Sequence, residues 1–257
     1  MDLGLKQKNV LITGGSKGIG LACAKAFRAE GARVAIVSRS QENLDAAKKN
    51  LGELYTIAAD LTDANAAAAM VERVEKEFGA IDILVNSAGA AKRTNADELT
   101  PAAWRAGMDA KYFSYIHVID PTVKRMAARG RGAIVNIIGN GGKLPAATHL
   151  AGGAANAALM LATAGLAAAY GPHGVRIVGI NPGTTLTGRV EQGLAAESRM
   201  RGEPAEAIRA AQEQGIPMRR FARPEEIAAM AVFLASSAAA YVTGAIVPMD
   251  GGLLAAI

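Results

Sequence analysis

Seven short apolar runs separated by amphipathic stretches constrain the fold more than any single residue: NVLIT (9–13), RVAIVS (33–38), LYTIAA (54–59), IDILVN (81–86), GAIVNII (132–138), VRIVGIN (175–181) and GAIVPM (244–249). Each is almost continuously apolar, as a strand must be when helices cover both of its faces, and that is the situation of a parallel sheet. The stretches between them, such as GIGLACAKAFRAEG and ANAAAAMVERVEKEFG, repeat apolar residues every three or four positions and close on glycine, which reads as helix. Strand and helix in alternation predict an α/β fold with one doubly wound parallel sheet of about seven strands and helices on both faces. No linker-like composition interrupts the 257 residues, so a single domain over 1–257 is expected.

Composition narrows the setting. Cys23 is the only cysteine, so no intrachain disulfide forms and a reducing, cytoplasmic compartment is expected. The polar start MDLGLKQKNV leads straight into a strand and does not read as an export signal. The apolar run AALMLATAGLAAAY (157–170) is shorter than the roughly 20 residues that span a bilayer; it reads as a core or interface helix, with no membrane partner. The net charge is +5, but Lys and Arg are scattered and aromatic residues are 4% of the chain, which argues against nucleic acid. Residues 187–218 depart from the strand–helix rhythm, being helical, polar and charged; a mobile flap over a site and an ordinary surface helical pair are both compatible with them.

The stretch TGGSKGIG (13–20) follows the first strand and opens the first helix, with Gly14, Gly18 and Gly20 spaced G-x-x-x-G-x-G. Glycines there permit a tight turn and let a pyrophosphate approach the backbone, while the helix N-terminus offers unpaired N–H groups. Gly14, Ser16, Lys17, Gly18, Ile19 and Gly20 are therefore candidate cofactor-binding residues of a Rossmann-type domain. About twenty residues on, where a carboxylate would hold a ribose 2′-hydroxyl, the chain has Ser38 and Arg39. Arg39 together with Lys17 suits a 2′-phosphate, so NADP(H) is preferred over NAD(H); two solvated surface cations are the plainer alternative.

With these motifs in place, the whole chain resembles the short-chain dehydrogenase/reductase family. NSAG, with Asn86, Ala88 and Gly89, is similar to the family's turn after the fourth strand, and AADLTD places Asp60 and Leu61 where the family contacts adenine. NPGTTLT resembles its Pro-Gly segment, with Pro182, Gly183, Thr185 and Thr187 beside the nicotinamide, while RPEEIA (223–228) and YVTGAIVPMDGG (241–252) resemble its C-terminal signature. The resemblance implies an NADP(H)-dependent oxidoreductase acting on a small carbonyl or alcohol substrate. It also implies a homodimer or homotetramer built on the helices at 100–128 and 149–170. No metal ligands are implied.

The family's Asn, Ser, Tyr and Lys supply a water relay, substrate orientation, a proton and a lowered tyrosine pKa. Register places Lys111, Gly139, Gly152 and Asn156 at those four positions. The Asn and Lys thus look exchanged, unless both positions drifted after activity was lost. His149, three residues before Gly152, is placed to project into the vacated space; a helix-start histidine bonded to a nearby carbonyl is the plainer alternative. Thr148, Asn140, Lys143 and Tyr112 are weaker acid candidates. Lys111, His149 and Asn156 are the candidate catalytic residues of a non-standard active site. Two other functions stay open, a non-redox lyase- or hydrolase-type enzyme on the same scaffold and a catalytically silent NADP-binding subunit; transfer of label from nicotinamide C4 separates them from a reductase.

Overall fold

In a computed structural model that describes residues 1–89 and 92–254, the strands β1 (Asn9–Thr13), β2 (Arg33–Ser38), β3 (Tyr55–Ala58), β4 (Ile83–Asn86), β5 (Gly132–Ile137), β6 (Val175–Pro182) and β7 (Ile246–Met249) form one parallel sheet. Their order is β3-β2-β1-β4-β5-β6-β7. Chain direction across the sheet reverses between β1 and β4, and the crevice that opens there beyond the strand C-termini is where such folds take ligands. The seven expected strands are all present; β3, β4, β5 and β7 are shorter than their apolar runs, and β6 extends to Pro182. The last three residues of the expected domain lie outside those described.

Helices α1 (Gly18–Ala29), α2 (Gln41–Leu51) and α9 (Pro224–Ala235) cover one face, burying Phe27, Leu44 and Ile227 against Ile36, Val85 and Val135. Helices α3 (Ala64–Glu77), α5 (Ser114–Ala128) and α6 (Leu150–Tyr170) cover the other, where Val71, Tyr115 and Leu159 meet Leu11, Leu84 and Ile134. Hydroxyl and carboxylate caps fix several starts: Ser40 accepts from the Asn43 N–H, and Asp63 from those of Asn65 and Ala66. Cys23 is fully buried, and burial pushes its thiol up to about 12.

Two expectations need correction. The apolar helix is longer than its sequence run: Leu150–His173 has the length and hydropathy to cross a bilayer, because Gly152, Gly153 and Asn156, which interrupt the apolar pattern, do not interrupt the helix. The length argument against a membrane therefore fails. What replaces it is packing, since Ala155, Leu159, Thr163 and Ala167 bury one face of α6 within the fold. The helix expected over 100–128 is divided into α4 (Pro101–Met108), a π-helical turn over Asp109–Phe113, and α5.

The segment 187–218 carries α7 (Gly188–Arg201) and α8 (Ala205–Gln214). They enclose a small apolar cluster of their own, Leu194, Ile208, Ile216 and Phe221, separate from the sheet core.

Candidate functional site

The strand ends in the crevice are tied together by a buried polar chain that the sequence reading missed. Thr13 Oγ1 accepts from the Ser87 and Ala88 N–H groups at 3.2 and 3.3 Å and donates to Asn86 Oδ1 at 3.3 Å. Asn86 Nδ2 donates to Asn136 Oδ1, and Asn136 Nδ2 to Thr163 Oγ1, each at 3.0 Å. The signal was present, because Thr13, Asn86 and Asn136 are polar residues at or near the ends of apolar strands and stand in register, Thr13 opposite Asn86 and Asn86 opposite Asn136. Each buried polar group finds its partner across the sheet, which locks the turn after β4 beside the glycine loop.

That loop has the shape a dinucleotide needs. Gly14 has φ +65°, and a Cβ on it would stand 2.8 Å from Ala88 Cα; a Cβ on Gly20 would overlap the Gly14 carbonyl. Lys17, the residue before α1, gives the helix no side-chain cap, so the first-turn N–H groups of Gly18, Ile19 and Gly20 remain available to an anion. Ser16 is buried within the loop and Gly89 sits tightly under the π turn. From β6, Pro182 and Gly183 run beside Asp250, Thr185 Oγ1 donates to the Gly183 carbonyl at 3.1 Å, and Thr187 starts α7 against Gly18. At the far rim, Lys17 and Arg39 are exposed. Donors from Thr62 hold the Asp60 carboxyl below its ordinary range, with a further contribution from the Arg39 charge; Leu61 is buried and its carbonyl lies 3.0 Å from His117 Nδ1. The glycine cradle and the uncapped helix start fit a bound NADP(H).

The three candidate catalytic side chains come together around the turn that follows β5. Lys111, on the π turn, is 8% exposed. Its Nζ donates to Tyr115 Oη at 2.8 Å and to the Ile137 carbonyl at 2.9 Å, and Tyr115 Oη donates to that same carbonyl at 2.6 Å. Burial, then the Arg189 charge, lowers the Lys111 ammonium to about 7, while burial raises the Tyr115 phenol. Asn156 is 5% exposed; its Nδ2 faces Gly139, whose φ of +123° suits glycine, and its Oδ1 has no partner among the described residues.

His149 precedes α6, and its ring lies over Gly152 so closely that a Cβ on Gly152 would overlap Cε1. The imidazole thus occupies the space from which any side chain at 152 would project. The ring is not bonded to a backbone carbonyl through Nδ1, which is buried and unpartnered among the described residues. Burial, then the Arg93 and Lys111 charges, lowers its pKa, which favours the neutral imidazole. Arg93, Tyr115 and Arg189 are neighbours that sequence reading did not single out. Tyr115 could have been found from its i,i+4 spacing to Lys111; the two arginines had no local signal.

A family model described as enoyl-(acyl carrier protein) reductase matches residues 14–254. The chain belongs to the short-chain dehydrogenase/reductase family. Among the relatives of this family member is D-threitol dehydrogenase of Mycolicibacterium smegmatis, 38% identical over 98% of this chain and 94% of that one. L-sorbose reductase from Gluconobacter frateurii, solved with NADPH and L-sorbose, superposes with a TM-score of 0.94 at 32% identity, covering 100% of both chains. An NADPH-bound short-chain oxidoreductase from Pseudomonas aeruginosa, described as containing an atypical catalytic center, has a TM-score of 0.88 at 31% identity over 98% of this chain and 100% of that one.

Proposed function

We propose that this oxidoreductase interconverts a small carbonyl compound and its alcohol with NADP(H), through a rebuilt centre of His149, Lys111 and Asn156. In this reading Gly139 and Gly152 stand where the family's Ser and Tyr are expected. The observation that carries it is the imidazole lying over Gly152, in the place of the missing side chain. NADPH, when bound, supplies a hydride. The neutral His149 offers a hydrogen bond to the substrate oxygen, and Asn156 orients that oxygen from the Gly139 side. Lys111 is the group able to release a proton near neutral pH, the range in which general acid catalysis is most effective.

Lys17 and Arg39 support NADP(H) over NAD(H) through a 2′-phosphate. The relatives' names support a polyol or ketose as the neutral backbone of the substrate, and the P. aeruginosa protein is a precedent for an unusual centre in this family. The protein works as a single cytoplasmic domain, with α7 and α8 as the flap over the site, and assembles as a homodimer or homotetramer through α5 and α6. The test is NADPH deuterated at nicotinamide C4, offered with a panel of ketoses and aldoses. Label is expected on the product alcohol, and its transfer is expected to fall at least tenfold in His149→Asn. NADPH binding without label transfer to any member of the panel would overturn the redox reading.

A further inference from the structure

Lys111 ends inside the protein although its side chain is long enough to carry an ammonium to water. It is 8% exposed, and among the described residues no carboxylate stands within ion-pairing distance of it. The strand and helix that flank the π turn, β5 and α6, carry no charged residue, and Arg105 and Asp109 on the preceding turn of its own helix are exposed. Arg189 in α7 bears on its protonation and Lys111 bears on that of His149; neither neighbour is an anion.

What holds the Lys111 head is Tyr115, one turn along the helix and fully buried. Donor and acceptor roles settle the direction of each hydrogen in this cluster. The Ile137 carbonyl only accepts, and it takes the Tyr115 hydroxyl at 2.6 Å and Lys111 Nζ at 2.9 Å, one for each lone pair. The phenol has a single hydrogen, which is committed to that carbonyl, so toward Nζ at 2.8 Å its oxygen acts as acceptor alone. On a tetrahedral nitrogen, Cε and two such bonds fix three of the four directions. One N–H is left over. The protonated lysine releases that hydrogen, and the lone pair of the neutral amine points the same way.

The backbone braces this arrangement. Ser114 Oγ shares its hydrogen between the Ala110 and Lys111 carbonyls of the widened turn, at 3.1 and 3.2 Å. A Cβ on Gly89 would overlap the Ala110 carbonyl, and one on Gly107 would stand 2.7 Å from Ala151 Cβ. The π turn is thus held between the segment after β4 and the first turn of α6, which carries Gly152. Its lysine is bonded to β5 two residues before Gly139, and Gly139 faces Asn156.

We infer that Tyr115 is a positioning residue of the centre: its hydroxyl, committed as a donor to the Ile137 carbonyl, is a fixed acceptor that orients Lys111 Nζ and leaves one N–H to transfer. In the reductive direction that proton goes to the substrate oxygen as the carbonyl carbon gains hydride, and the N–H bonding pair stays on Nζ. The inference rests on the proposed role of Lys111 as the acid, but the orientation of Nζ can be read without turnover.

Tyr115→Phe is the test, because it keeps the ring whose centroid is 4.4 Å from Nζ and removes only the acceptor. In protein labelled with ¹⁵N at lysine Nζ, the Lys111 signal is assigned by its loss in Lys111→Met. Its titration midpoint should fall by about one pH unit in Tyr115→Phe, because the ammonium loses a charge-assisted bond. With the substrate found by C4 label transfer, kcat should drop about tenfold with KM held within about threefold, and the pH profile should move down with the Nζ midpoint. A merely structural Tyr115 would lower the urea midpoint and leave the Nζ midpoint and the pH profile in place; that result, in a variant whose far-UV circular dichroism matches the parent, overturns the inference. Where Tyr115→Phe does not fold, 3-fluorotyrosine at this position gives a weaker acceptor of nearly the same size: a smaller downward shift is expected, and an unmoved midpoint overturns the inference. A lowered Nζ midpoint with no label transfer, or with an unmoved pH profile, would keep the orienting bond and overturn the role of Lys111 as the acid.

Discussion

Gly152 and His149 act as a pair, because the ring fills the volume that a side chain at 152 would need. Gly152→Ala should therefore expel the imidazole while making the helix interior more favourable by about 1 kcal/mol. The expected variant is no less stable in urea, binds NADPH within twofold of the parent, and loses about 10²-fold or more in turnover, the usual scale for losing a group that assists proton transfer. Unchanged turnover would remove His149 from the centre. Lys111 carries a different signature. Its native ammonium titrates at about 7 against an ordinary 10.5, so between those pH values the unfolded chain holds a proton that the native chain has lost. Stability must then rise with pH across that window, and the burial penalty is fully present below pH 7. Lys111→Met should flatten this slope in denaturation measured at pH 7 and pH 9, and, on the proposed role of Lys111 as the acid, it should abolish the fall in reductive turnover expected above about pH 7. The His149–Gly152 spacing was legible in the sequence because it is local. The nearness of Arg93 to His149 and of Arg189 to Lys111 was not, because segments far apart in the chain must fold before those charges approach.

At the level of elements, the strands were legible for a simple reason: burial on both faces leaves a continuous apolar run that needs no knowledge of its neighbours. Boundaries were less so, since β3, β4 and β7 stop where hydrogen bonding ends rather than where hydrophobicity does. The π turn had no signature. DAKYF contains no breaker; the widened turn exists where Gly89 brings the segment after β4 against the Ala110 carbonyl and where Lys111 reaches the Ile137 carbonyl, both tertiary facts. Arg176 is another element-scale device hidden from sequence. From β6 its guanidinium donates to the carbonyls of Leu234, Ala235 and Ser236 at the end of α9, and to that of Val242, at 2.8–3.2 Å. A cation there satisfies the orphan carbonyls and suits the negative end of the helix dipole. Arg176→Ala should cost about 2 kcal/mol, the scale of hydrogen bonds made by a charged group, read as a lower urea midpoint. Turnover at saturating substrate should hold, because Arg176 lies at the end of the sheet opposite the crevice, where β6 begins.

For the whole molecule, the open matter is what covers α6. Its inner face packs on the sheet, but Ala154, Ala157, Leu161, Ala164 and Ala168 are exposed along a single 3–4 stripe, with Leu161 77% exposed. A helix apolar enough to cross a bilayer by length and composition carries this stripe outward, so either lipid or another protein surface would be favourable against it. The other side of the same helix bears Asn156 and Thr163, each bonded into or facing the crevice, and a membrane span cannot also supply a wall of the site within this sheet. A second copy of the chain is the better cover: small side chains let two helices approach closely, and a two-fold axis presents the same stripe to itself. Leu161→Asp places two carboxylates across that axis without disturbing the buried face. Analytical ultracentrifugation should show the parent as a dimer or tetramer and the variant as a smaller species, with far-UV circular dichroism unchanged. A parent that sediments as a monomer at micromolar concentration would show that the stripe is not a self-interface, and binding of the parent to phospholipid vesicles would then assign it to a membrane surface instead.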